Sequence, residues 1–76
     1  MKLKDNCPRL RLLLVEKVLL DNPDGLTMNE IMCYLHQHNL TAKRQTVYDD
    51  LTALNYLYDV QYKKPRHIIR KLTGER

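Results

Sequence analysis

Residues 26–54 read LTMNEIMCYLHQHNLTAKRQTVYDDLTAL, and the fold turns on how this stretch divides into helices. Thr27 and Glu30 have the spacing of a capping box, in which each side chain satisfies a backbone N–H near the other. Leu26 and Ile31 flank the box as a hydrophobic staple, and Ile31 and Leu35 point the same way one turn apart. These signals predict a helix over about residues 27–38. Asn39 tolerates the left-handed conformation that ends helices, and Leu40 can follow as the closing apolar contact. Thr41 offers a hydroxyl for the next N-cap, and Val47, Leu51 and Leu54 recur at i, i+4 and i+7. A further helix is therefore predicted over about residues 42–57, with only about three residues separating the two. A short turn between two capped helices is the helix-turn-helix arrangement.

Working outward, PRLRLLLVEKVLLDNPDG (residues 8–25) predicts an earlier helix over about residues 8–21. Pro8 suits a first turn, and Leu12, Val15 and Leu19 share a face. Asn22, Pro23, Asp24 and Gly25 then form a dense breaker cluster. On the other side, Tyr58, Val60 and Tyr62 alternate as in a half-buried strand. KKPR can turn the chain, and HIIRKL can return as a second strand, giving a hairpin over about residues 58–72 and a loose tail at 73–76. The expected fold class is mainly α with a small β-hairpin: a single winged helix-turn-helix domain of three helices plus wing, spanning residues 1–76.

With 76 residues the chain is one small domain, too short for a deep catalytic cleft. Lys and Arg number 13 against 9 Asp and Glu, a formal net charge of +4, and the sequence pI is near 9.2. That balance favours a polyanionic partner. No apolar run is long enough for a membrane span, and MKLKDNCPRL lacks the apolar core of a signal peptide. With only Cys7 and Cys33, the expectation is a cytoplasmic protein with reduced thiols and no membrane partner.

The 26–54 stretch resembles the winged helix-turn-helix that opens WYL-domain bacterial transcription regulators, relatives of the DeoR-like group. In that family the recognition helix carries a basic residue, Thr or Ser, Ile or Val, Tyr, a variable residue, Asp, and Leu or Ile. Here those positions are matched by Arg44 (with Gln45 intervening), Thr46, Val47, Tyr48, Asp49, Asp50 and Leu51. Downstream, Asp59 and Val60 resemble the acid-plus-aliphatic start of the family's wing. The similarity covers roughly residues 9–62. NYLYDV lacks the glycine usual in the family between the third helix and the wing, and no effector domain lies within the sequence. The resemblance implies a bacterial or phage transcription regulator. The chain is then either an excised DNA-binding domain or a small stand-alone protein, such as a mobile-element regulator.

The start of the third helix gathers Thr41, Lys43, Arg44, Gln45 and Thr46, with Tyr48 and Asp49 on the same outward surface. A helix N-terminus attracts phosphate through free N–H groups and its dipole. In a helix-turn-helix this turn faces the base edges of the major groove, where Arg and Gln bond bidentately to guanine and adenine. A solvated polar face is the bland alternative, which the turn and the resemblance outweigh. Lys63, Lys64, Arg66, His67, Arg70 and Lys71 form a second cluster, expected at the wing tip along the DNA backbone or in the minor groove. Lys and Pro there also protect a strand edge from pairing.

The acids Asp49 and Asp50 divide by helical phase. Asp50 lies at the edge of the Val47–Leu51–Leu54 stripe and is read as structural, pairing with a base or N–H elsewhere in the domain. Asp49 falls outward with Gln45, Tyr48 and Thr52, where it either accepts from cytosine N4 or sits clear of the DNA.

Cys33, His36 and His38 do not make a metal pattern, and no nucleophile–base–acid set or glycine-rich phosphate loop is present. Neither an enzyme nor a cofactor is expected. Leu13 and Leu20, with Leu10 nearby, fall on a different face of the first helix from its core stripe. They are candidates for a two-fold homodimer contact. The expected partner is double-stranded DNA. A small winged-helix protein-interaction module, binding and modulating a host protein, is the competing reading.

Overall fold

The computed structural model describes residues 8–72. Expectations for Cys7 and for the tail at 73–76 lie outside these residues. The element order is α1 (Pro8–Asp21), β1 (Leu26–Thr27), α2 (Met28–Gln37), α3 (Arg44–Leu54), β2 (Tyr58–Lys63) and β3 (Arg66–Lys71). The three helices pack with a three-stranded antiparallel sheet of order β1-β3-β2, a small α/β fold.

The core is where the helical stripes meet. Val15, Val18 and Leu19 of α1 join Met28, Ile31 and Leu35 of α2 and Val47, Leu51 and Leu54 of α3, closed by Leu40 and by Ile69 of β3. α1 keeps the expected bounds. The Asn22 side-chain amide ends it by donating to the Val18 carbonyl at 2.7 Å. The capping box at the start of α2 is present in both directions: Glu30 N–H donates to Thr27 Oγ1 at 3.2 Å, and Thr27 N–H to Glu30 Oε1 at 2.9 Å. α2 closes as the sequence suggests. Asn39 takes φ 63°, its N–H donates to the His36 carbonyl, and the buried Leu40 donates to the Leu35 carbonyl at 3.0 Å. Orphan carbonyls of the last turn are thereby satisfied.

Three features differ from the sequence reading. β1 was not expected. Its Leu26 and Thr27 pair with His67 and Arg66, so the hairpin is part of a larger sheet. Gly25 permits this with φ 97° just before β1; a Cβ there would lie 2.7 Å from Ile68 Cγ1. No L side chain fits both that dihedral and that contact. Second, α3 begins at Arg44 rather than near residue 42, so residues 38–43 connect it to α2 instead of about three residues. Thr41 does not cap it; Lys43 is the N-cap and makes no side-chain cap bond. Third, α3 ends at Leu54 and not near residue 57. Asn55 then bridges to the sheet, its Oδ1 accepting from Val60 N–H at 3.3 Å.

The β2–β3 hairpin pairs from Tyr58 opposite Lys71 to Lys63 opposite Arg66 and turns at Lys64–Pro65, within the expected KKPR. Its base is tied to α1, because the Tyr58 phenol donates a hydrogen bond to the Glu16 carboxylate. That bond, then burial and the Glu16 charge, raises the Tyr58 pKa above its ordinary value.

Candidate functional site

Arg44 at the start of α3 and Pro65 at the hairpin turn line one hollow. A hollow of about 300 Å³ is lined by Thr27, Met28 and Asn29 at the start of α2, Arg44 and Tyr48 of α3, and Tyr62, Pro65 and His67 of the hairpin. A second hollow of about 350 Å³ continues along α3 and β2, and Tyr48, Tyr62 and His67 line both. The rings of Tyr48 and Tyr62 stand 5.7 and 4.7 Å from that of His67, a three-ring ridge dividing the two hollows. Tyr48 is 43% and Tyr62 58% exposed, so the ridge presents aromatic surface to solvent.

The N-terminal turn of α3 is exposed at Lys43, Arg44 and Gln45, and Thr46 is half-buried. Thr41 is exposed in the connection before the helix. Arg44 reaches back to α2, donating from Nη2 to Asn29 Oδ1 at 3.2 Å. Gln45 and Asp49 are joined one turn apart, Nε2 to Oδ1 at 3.0 Å, both exposed. The outward phase of Asp49 is thus as read, and so is the inward phase of Asp50. Asp50 is 6% exposed and forms a two-bond ion pair with Arg11 of α1, Nε to Oδ2 at 2.6 Å and Nη2 to Oδ1 at 3.0 Å.

At the other rim, Lys63, Lys64 and Arg66 are exposed around the hairpin turn. His67 does not belong with them. It is 6% exposed, and burial lowers its pKa below the ordinary imidazole value. The reason is topological: β3 is the central strand, covered on both faces, and His67, Ile68 and Ile69 are buried in succession. The run of apolar Ile68 and Ile69 was the signal that could have placed the adjacent His67 inside. Sequence reasoning also missed Tyr62 and Asn29 as parts of the site. Tyr62 was read only for its strand alternation.

Cys33, His36 and His38 are exposed on α2 and its C-cap, and the His38 ring packs on Tyr34 at 4.7 Å. Among the described residues no cluster of three His, Cys, Asp or Glu side chains could hold a metal ion, and no helix is long and apolar enough to cross a membrane. On α1, Leu13 and Leu20 are 55% and 37% exposed, whereas Leu10 is half-buried and packs on the core. No protein-family model, curated protein or solved structure matches the chain.

Proposed function

We propose that the chain is a winged helix-turn-helix domain that binds double-stranded DNA with sequence preference, in a bacterial or phage transcription regulator. α3 enters the major groove, α2 braces it, and the β2–β3 hairpin is the wing that grips the backbone. The observation that carries this reading is the shared hollow. It is lined by Arg44 of the first turn of α3 and by Pro65 of the Lys63–Arg66 turn, with the exposed Tyr48 and Tyr62 between them in its wall. The order of helices and strands and the resemblance of residues 44–51 to the WYL-domain regulators support the same reading.

Within this proposal the residues divide by task. Gln45, Tyr48 and Asp49 face outward from α3 and read base edges. Arg44, drawn toward Asn29, works at the edge of the groove nearer the backbone. Lys43, Lys63, Lys64 and Arg66 neutralise phosphates. With Arg44 as a fifth, about five neutralised phosphates would give a slope of about −4 to −5 in log K against log salt. Replacing Lys63 and Lys64 together should flatten that slope by up to about two. A duplex affinity indifferent to salt would remove the reading.

A protein-interaction module is the second reading, favoured by a different surface. Tyr56 and Leu57 are 84% and 68% exposed where α3 passes to β2, and Leu72 is 56% exposed after β3. The Tyr58–Lys71 pairing puts Leu57 and Leu72 at the same open end of the hairpin, away from its basic turn. Capture of a protein partner that survives nuclease and is lost in Leu57→Ser would support this reading.

A further inference from the structure

His67 is enclosed yet unsatisfied. Among the described residues no hydrogen bond or ion pair reaches its imidazole. No buried side-chain nitrogen is left without a partner either. Both hold together only if the ring nitrogens open onto the adjoining hollows, where an incoming group can meet them. Arg44 lines the first hollow with its guanidinium held toward Asn29, and the N-terminal end of α2 opens there at Thr27. A guanidinium and an imidazole lining one hollow are two donors that an anion entering it can meet. The Tyr48 and Tyr62 rings shield its sides.

We propose that this hollow seats one backbone phosphate of bound duplex DNA, and that His67 takes up a proton from solvent as the phosphate enters. The inference rests on the DNA-binding reading and adds a regulation to it. The proton adds to the free imidazole nitrogen, the resulting cation donates an N–H to a phosphate oxygen, and no bond of the phosphodiester breaks.

The groups around His67 favour this linkage. Its ring packs on Tyr48 of α3 and Tyr62 of β2, and Arg44 of α3, a fixed cation, lines the same hollow. β1 and the start of α2 supply Thr27, Met28 and Asn29, which do not titrate. The Glu30 carboxylate of α2 is engaged by Thr27 N–H. On its own strand His67 follows the exposed Arg66. Without DNA, burial favours the neutral imidazole. A phosphate beside it reverses the balance. Affinity therefore rises as pH falls, by up to about tenfold per pH unit for one linked proton.

The test uses the full chain and a random-sequence duplex of about 20 base pairs, titrated at fixed salt between about pH 8 and 5.5. Binding by the unsubstituted protein should tighten as pH falls. The tightening should persist in His36→Gln and His38→Gln, which alter exposed histidines, and vanish in His67→Gln. A salt-dependent duplex affinity with the same pH profile in His67→Gln overturns the inference while leaving DNA binding intact. Absence of duplex binding at every pH and salt overturns the DNA reading itself. Should His67→Gln fail to fold, the imidazole of the unsubstituted protein is followed by NMR. Its pKa should rise when duplex is added, and an unmoved pKa overturns the proposal.

Discussion

Arg11 and Asp50, 39 residues apart in the chain, form a two-bond ion pair whose side chains are only 12% and 8% exposed. The pair spans α1 and α3 and fixes the rotation of α3 about its own axis. With Asp50 held inward, Gln45, Tyr48 and Asp49 must face out. The pairing thereby sets which residues of the helix a ligand can meet.

Asp50→Asn should therefore lower stability by about 3 kcal/mol, because Arg11 is left buried beside a neutral partner. For a domain this small that is a large share of the total. Replacing both, as Arg11→Met with Asp50→Leu, should recover much of the loss, since an apolar pair carries no desolvation cost. Denaturant unfolding of the two variants, beside the unsubstituted protein, measures this. Equal destabilisation by the single and double substitutions would contradict it.

Asp49→Asn should behave oppositely. Its carboxylate is exposed and bonded only across one turn to Gln45, so melting should shift little, within about 0.5 kcal/mol. Affinity for random duplex should rise, because a negative charge has left the groove-facing surface. Discrimination between the preferred and random sites should shrink, measured as the ratio of the two affinities. An unchanged ratio would place Asp49 clear of the DNA.

The stability of the free domain should depend on pH through His67. Burial lowers its folded pKa, so the unfolded chain binds the proton more readily. Its contribution is complete above the unfolded value of about 6.5 and is lost as pH falls through the lower folded value. His67→Phe should flatten this part of the profile in chemical denaturation. The slope is opposite in sign to that expected for DNA affinity, so one imidazole would loosen the free domain and tighten the complex.

Leu13→Glu should leave the fold intact, since Leu13 is 55% exposed. If Leu13 and Leu20 form a contact between two copies, the unsubstituted protein sediments as a dimer and the variant as a monomer with no cooperative DNA binding. A monomer at every concentration before substitution would remove the dimer from the account.

Much of this architecture was readable because its signals are local. Thr27 and Glu30 announce α2, Asn39 and Leu40 close it, and the three-and-four spacing of Val47, Leu51 and Leu54 gives the phase that separates Asp49 from Asp50. The partner of Asp50 was not readable, since nothing local to Arg11 distinguishes it from Arg9. β1 was missed because two residues cannot display a period, and its register is set by Gly25 and β3. The start of α3 was misplaced because the reading relied on a hydroxyl cap, and the observed N-cap, Lys43, makes no cap bond. The burial of His67 was not foreseen because a basic run after a turn looks solvent-facing, whereas β3 is central.

Thr27 belongs to two structures at once. It is the last residue of β1, opposite Arg66 at the hairpin turn, and the N-cap of α2. The hairpin and α2 are therefore geared to one another rather than hung separately on the core. A load applied at the Lys63–Arg66 turn passes through Arg66 and Thr27 into the first turn of α2, beside Asn29 and its bond to Arg44. Trimming the hairpin would not yield an independent three-helix domain. It would remove the strand that completes the sheet and unseat the start of the helix behind the proposed reading head.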